Sequence, residues 1–453
     1  MSPIRFNDAL SLAAKAAQDA TLPGEYPVRV IRDVYGRIRF AIDCEANQYP
    51  PEARAQLESA LAKLGTFATK GELMFRDDLS NPDLIFNSPD WHLTTVATGF
   101  DEAGQAKPEM TIDVMDRQIM GQDWLNPISA PKPHPPRIVF YGLKGGVGRS
   151  TALAMAAYGL ARAGKRVLLL DFDLESPGLS GLLLPADRVA DFGLVDWFVE
   201  DAVGQGEALL PRMVADSPLA QTTSGAIRVV AAMGQAESAY LSKLSRVYAD
   251  VPGLPSQGLR TGLRRFATRM QNIVELLEVQ EKPDVVLIDS RAGLHDVAAI
   301  SITSLADTAL LFATDSAQNW LGYRQLFAHW QHRPDVCKQV RERLRIVQAL
   351  APKSDREGRS KAFRERAYDL FSATLYDEIA PHMEESDFFS PSISNTEAPH
   401  FPIRIDWDDV FQEFNPLLAP EHGGVSPAEI DAKFGALITW LVASLNEETD
   451  ESA

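Results

Sequence analysis

Apolar positions follow two regimes along the chain. As far as about residue 125 they come in short alternating groups, and from residue 137 onward they form continuous runs separated by helical stretches. In the first regime, residues 7–20 predict a small amphipathic helix. Val28 and Val30, then Ile38, Phe40 and Ile42, alternate with polar neighbours on either side of Tyr35-Gly36, the pattern of a hairpin with one buried face. Leu57, Leu61 and Leu64 follow at helical spacing in a segment opened by Pro51 and closed by Gly65. The runs ELMFRD, DLIFN and TIDVMDRQIMG predict further short strands, so residues 1–125 are expected to form a compact α+β domain. Its acidic residues and Arg117 lie in no catalytic spacing, and we expect a module for binding or coupling to a partner. Dense prolines in DWLNPISAPKPHPPR cannot continue a helix and mark a linker over residues 126–136.

The second regime is built differently. Arg137 to Tyr141, RVLLLD ending at Asp171, and Val285 to Ile288 ending at Asp289 read as buried strands. ADTALLFATD and LRIVQALAP continue the series, with helices predicted at SAQNWLGYRQLFAHW, KAFRERAYDLFSATL and FGALITWLVASLNEE. Apolar strands separated by helices predict an α/β domain over residues 137–445, a mostly parallel sheet covered by helices. Residues 180–280 exceed what a crossover needs and read as an insertion, and residues 446–453 form an acidic tail.

Candidate chemistry gathers at residues 137–173. Gly142, Gly145, Gly146 and Gly148 free the backbone after the first strand to curl its N–H groups around an anion. A helix predicted from Ser150 to Ala163 places its positive N-terminal end beneath the same anion. Against the phosphate-loop pattern G-x-x-x-x-G-K-[ST], the run GLKGGVGRS sets Gly148 at the second glycine and Ser150 at the magnesium hydroxyl, while Arg149 stands where the loop lysine belongs. Asp171, Asp173 and Asp289 lie at or just beyond the carboxyl ends of strands, where open α/β sheets collect ligands.

The sequence KGGVG, followed by a basic residue and the hydroxyl pair Ser150-Thr151, resembles the deviant Walker A loop of the ParA/MinD family. The resemblance implies a P-loop ATPase that binds ATP and Mg2+ and switches between monomer and ATP-sandwiching homodimer. It implies that Lys144 reaches the partner subunit's phosphates, and that Arg149 replaces the lysine acting in cis. Gly145, Gly146, Val147, Gly148, Arg149, Ser150 and Thr151 would cradle the nucleotide, with Gly293 approaching the γ-phosphate from the D-x-x-x-G run that begins at Asp289. Asp173 would position the attacking water, and Ser150, Asp171 and Asp289 would form the magnesium shell. Arg291 and His295 are extras beside that run, within range of touching phosphate, and solvent-facing loop positions are the expectation for both. Residues 348–352 fall where the family contacts adenine, but the expected asparagine is absent. An arginine retains charge and grips phosphate bidentately with a bulkier group, so binding is a firmer expectation than turnover.

Composition narrows the function. The chain has 453 residues and a formal net charge of -18, which opposes broad affinity for DNA or anionic lipid. Arg260, Arg264, Arg265 and Arg269 in one helical stretch, and Lys353 through Arg366, are the local basic candidates; solvated helix faces are the expectation for both. Cys44 and Cys337 predict neither a disulfide framework nor a metal motif, and the histidines, His134 among them, are scattered. No run approaches the ~18 apolar residues of a membrane span, and the start of the chain lacks a signal-peptide core, so a soluble cytoplasmic protein without a membrane partner is expected. The leading expectation is a slowly hydrolysing ATP-dependent dimer switch that recruits or regulates a partner protein within a multi-protein bacterial system, with defence systems among the candidates. A non-hydrolysing nucleotide sensor or scaffold and a DNA-partition ATPase are the alternatives.

Overall fold

Eight strands between Arg137 and Asp406 form one sheet, and its order is set by which apolar runs lie at the centre. The computed structural model describes residues 4–20, 26–69, 73–88, 90–97, 109–128, 133–235, 239–253, 263–378, 388–412 and 415–451. The chain divides into two compact units, Met1–Asn126 with His329–Pro334, and Pro127–Ala328 with Asp335–Ala453.

In the first unit, β1 (Val28–Arg32) and β2 (Ile38–Ile42) make the antiparallel hairpin that the alternation predicts. β3 (His92–Ala97) pairs antiparallel with β4 (Glu109–Asp116), β4 lies parallel to β1, and the sheet order is β2-β1-β4-β3. Helices α1 (Phe6–Ala20) and α2 (Pro51–Lys63) contribute Ala13, Ala17, Leu57 and Leu61 to a core shared with Val30, Phe40 and Val114. Two strand expectations fail. DLIFN forms a short helix, α3 (Asp83–Phe86), started by Pro82, whose fixed φ favours a helical first turn. In ELMFRD, Met74 makes only an isolated bridge to Ala41, and Arg76–Asp78 is a turn of 3-10 helix whose Arg76 bonds Asp43 at 2.6 Å and Asp83 at 2.5 Å. β3 escapes the pattern reading because the core-facing position between His92 and Val96 is the polar Thr94.

The second unit alternates strands and helices. Its strands are β5 (Arg137–Gly142), β6 (Arg166–Asp171), β7 (Val214–Asp216), β8 (Ala226–Val230), the small ribbon β9 (Val251–Pro252) with β10 (Leu263–Arg264), then β11 (Val285–Asp289), β12 (Thr308–Ala313), β13 (Leu344–Ala351) and β14 (Ile403–Asp406). Helices α4 (Arg149–Arg162), α5 (Leu179–Leu183), α6 (Leu194–Ala202), α7 (Tyr240–Val247) and α8 (Phe266–Glu281) come before or between these strands. They are followed by α9 (Asp296–Ile300), α10 (Ala317–Gln331), α11 (Pro334–Arg341), α12 (Arg356–Thr374) and α13 (Pro427–Glu451). Sheet order is β14-β13-β12-β5-β11-β6-β8-β7, parallel throughout except for β7 against β8.

The central strands are buried on both faces, as continuous apolar runs require. α4 and α13 close one face over Phe140, Leu169, Leu287 and Phe312. On the other face Arg137, fully buried, donates two 2.7 Å hydrogen bonds to Glu278 of α8. The stretch read as an insertion is partly sheet, because IRVVAA supplies β8 beside β6. Its arginines do not share one exposed helix. Arg264 lies in β10, Arg265 precedes α8, and Arg269 is buried, while Arg264 and Arg269 each bond Asp201 at 2.7 Å; Arg260 lies outside the described residues. Between Lys353 and Arg366, four cations meet carboxylates: Lys353 with Asp408, Arg356 with Asp406, Lys361 with Glu365 and Arg366 with Asp315. The closing helix is longer than its apolar run and continues through Glu451 of the predicted acidic tail.

Candidate functional site

The site lies at the carboxyl edge of the sheet, where β5, β6 and β11 end side by side. Gly142 closes β5, and Gly146 and Gly148 adopt φ of 75° and 76°, the left-handed region that lets the chain turn back into α4. A Cβ on Gly145 or Gly146 would meet nothing within 4 Å, so the space over this part of the loop backbone is open. Lys144 is exposed, Val147 is buried beneath the loop, and α4 begins at Arg149 with Gly148 as its cap. Gly293 is tied to the loop's root: its N–H donates to the Gly142 carbonyl at 3.2 Å, and Tyr141 Oη donates to the Gly293 carbonyl at 3.1 Å.

Parallel register sets Asp171 directly beside Asp289. Arg149 is buried and forks between two carboxylates, donating from Nε to Asp289 Oδ1 at 2.5 Å and from Nη2 to Asp173 Oδ2 at 2.7 Å. Ser150 Oγ donates to the other oxygen of Asp289 at 2.6 Å. Asp171 is fully enclosed and accepts the N–H groups of Asp173 and Leu179, each at 3.2 Å. The expected metal residues are therefore together, but Ser150 and Asp289 are the pair in side-chain contact, whereas Asp171 holds the loop that carries Asp173.

Electrostatics follow from burial and charge crowding. Burial, then the charges of Asp289 and Asp173, push the Asp171 carboxyl well above its ordinary range. Burial raises Asp289 as well, with Arg149 and the Ser150 hydroxyl opposing it. For Arg149 burial disfavours the charge, and Asp289 and Asp173 outweigh it, so the guanidinium is held above its usual value.

A cavity of about 280 Å³ opens beside the loop, with Gly146, Gly148 and Thr151 on one wall. Leu350, Trp407, Phe411 and Phe434 make the rest largely apolar, and Asp408, Gln412 and Lys433 supply polar groups. Leu350 has φ of 49° at an irregularity in β13, a left-handed conformation uncommon for leucine. Lys433 Nζ lies 4.3 Å from the Phe411 ring centroid, and burial lowers its pKa. Of residues 348–352, Leu350 lines this cavity, while Gln348 is buried within hydrogen-bond reach of Arg404 at 3.5 Å. Trp407, Asp408 and Lys433 carry no motif, and only folding of the last strand and helix brings them to the loop.

Loop, strand-end carboxylates and a mostly parallel, helix-covered sheet give this α/β unit the arrangement of a P-loop nucleotide-binding domain. Residues 138–319 match the CobQ/CobB/MinD/ParA nucleotide binding domain. Chromosome-partitioning ATPase Soj of Thermus thermophilus is 53% identical over 53 residues, which make up 12% of this chain and 21% of Soj. The match thus spans about a fifth of that relative's length. Among solved structures, a ParA family ATPase from Chlorobium tepidum aligns at 17% identity and a TM-score of 0.41, covering 68% of this chain and 98% of its own. The pNOB8 ParA bound to nonspecific DNA aligns at 17% identity and a TM-score of 0.39, covering 70% of this chain and all, 100%, of its own. Cobyrinic acid a,c-diamide synthase from Mycobacterium smegmatis with bound ADP and magnesium aligns at 16% identity and a TM-score of 0.36, covering 55% and 85%. No helix among the described residues is long and apolar enough to cross a membrane.

Proposed function

We propose that this protein is an ATP-dependent switch that hydrolyses its nucleotide slowly, dimerises around it and uses residues 1–125 to engage a partner protein. The observation that carries this reading is the convergence of the loop, the start of α4, Asp173 and Asp289 on one concavity, with the 280 Å³ cavity beside it for the base. Loop amides and the α4 terminus would hold the phosphates. Ser150 and Asp289, hard oxygen donors already 2.6 Å apart, would hold magnesium, which would supply positive charge to the phosphates. Asp173 would orient the attacking water once Arg149 turns from the carboxylates to the phosphates. That exchange favours slow turnover, because two acceptors now compete with the nucleotide for one guanidinium.

Calorimetry tests the binding reading: ATP with magnesium should bind the parent, and Arg149→Ala should lose most of the affinity. Equal binding by both would remove the loop assignment. Phosphate release with and without Asp173→Ala separates the switch from a non-hydrolysing sensor, the second reading, which the double clamp on Arg149 favours. The likeness to Soj supports a partition ATPase as a third reading, but Arg264 and Arg269 are engaged by Asp201. A salt series of DNA binding checks it, since phosphate contacts would make affinity fall steeply with salt.

A further inference from the structure

The segments that follow Asp173 and Asp289 are joined by residues outside the phosphate-loop motifs. Glu175 lies two positions beyond Asp173 and ion-pairs with Arg291, two positions beyond Asp289. Tyr248, immediately after α7, donates its hydroxyl to the same Glu175 oxygen, and its ring lies 5.1 Å from that of His295. Tyr240, the first residue of α7, donates to the Leu174 carbonyl at 2.6 Å. α7 is itself anchored: Lys243 meets Asp196 of α6 at 2.5 Å, Val247 is buried, and Tyr248 packs 5.3 Å from Phe266 of α8. The short helix α7 and the residue that follows it thus touch both carboxylate-bearing segments, through Leu174 and Glu175 on one and His295 on the other. The other Glu175 oxygen, Oε2, is buried and finds no hydrogen-bond donor among the described residues.

We propose that Glu175, Tyr248 and Arg291 are positioning residues for phosphoryl transfer, coupling the segment that carries Asp173 to the one that carries Asp289 through α7. The proposal rests on the hydrolytic reading above. Asp173 must aim a water while Asp289 holds the metal side, so their separation has to be fixed to a fraction of an ångström. Glu175 sets it by binding Arg291 and Tyr248 at once. Loosening that node displaces the water relative to the phosphate but leaves the loop amides and the base cavity untouched, and a displacement of ~1 Å costs up to about a hundredfold in rate.

The test uses the full-length protein with Glu175→Gln, Tyr248→Phe and the charge-conserving Arg291→Lys. Three quantities are read: hydrogen exchange of residues 173–178 and 290–296, ADP affinity, and single-turnover phosphate release. Glu175→Gln and Tyr248→Phe should speed exchange in both segments together and slow release by ~10-fold or more, with ADP affinity within about threefold of the parent and Arg291→Lys recovering most of the rate. Loosening confined to one segment overturns the proposal. So does a parallel fall in ADP affinity and rate, which is the mark of general destabilisation. A parent that binds ATP yet releases no phosphate removes the hydrolytic reading and with it the transfer role, while the exchange data still decide whether α7 couples the two segments.

Discussion

Arg149 satisfies two carboxylates beside the buried Asp171, Asp289 being buried and Asp173 half-buried. Removing it leaves the buried Asp289 with only the Ser150 hydroxyl as a partner next to Asp171, and breaking such a buried pair costs about 3–5 kcal/mol. Arg149→Ala is therefore expected to lower the urea midpoint as well as nucleotide affinity. Arg149→Lys should lose less stability, since an ammonium keeps the charge but cannot fork between two acceptors, and it should raise turnover by freeing Asp173; unchanged turnover would mean the fork does not limit the rate. His400 gives a separate, pH-dependent prediction. It is buried, Nδ1 lies 2.6 Å from Tyr376 Oη and Nε2 lies 3.4 Å from the Ile393 carbonyl, an arrangement suited to the neutral ring protonated on Nε2. Burial, aided by the charges of Arg345 and Arg364, lowers its pKa below the ordinary 6.5. A depressed folded-state pKa means the contribution is complete above about pH 6.5 and is lost as pH falls toward the folded value, where the unfolded chain binds the proton better. Urea midpoints measured from pH 7.5 to 5 should fall, and His400→Asn, which keeps an acceptor for Tyr376, should flatten that slope.

Elements differ in how far the sequence determines them. The central strands and α4 were legible because runs such as VLLLD and VVLID are apolar at every position, and the glycines before Arg149 leave little but a turn into a helix. The ends of those strands are legible for the same reason, which is why the pattern alone places Asp171, Asp173 and Asp289 at one edge of the sheet. What stayed hidden depends on contacts distant in sequence. Leu350 enters the cavity only because β13 is irregular there, and Tyr248 reaches Glu175 only because α7 folds back over β6's exit. Thr94 concealed β3 by placing a polar residue at a core position, and a Pro-Asp start turned DLIFN helical. Close packing at element ends gives another prediction. A Cβ on Gly225, which leads into β8, would lie 2.2 Å from the Lys165 carbonyl oxygen and 2.7 Å from that of Ala161, both backbone atoms at the end of α4 and its turn. Backbone cannot step aside as a side chain can, so Gly225→Ala should cost about 1–3 kcal/mol. Thermal melting checks this, and an unchanged midpoint would show that the α4–β8 connection yields.

At the scale of the whole molecule, association has to overcome charge. Each chain carries a formal net charge of -18, so two copies repel, and at about 0.15 M salt that repulsion is confined to a range of ~8 Å. Bringing two phosphate loops face to face adds the negative charges of two ATP molecules to the same interface. A cation that is exposed and beside the loop is what such an interface requires, and Lys144 is exposed, while Arg149 is buried and engaged by its own Asp173 and Asp289. Lys144 is free to serve phosphates of a second copy, in an isologous arrangement where each lysine crosses to the other nucleotide. We therefore expect ATP to promote a two-fold dimer and Lys144→Ala to abolish it with little loss of nucleotide binding, since the loop amides and the start of α4 remain. Light scattering at 0.15 M salt with a slowly hydrolysed ATP analogue, compared with ADP, reads the outcome directly. Dimerisation that is equal in parent and Lys144→Ala, or lacking in both, would remove the sandwich arrangement and favour a sensor that works as a monomer through residues 1–125.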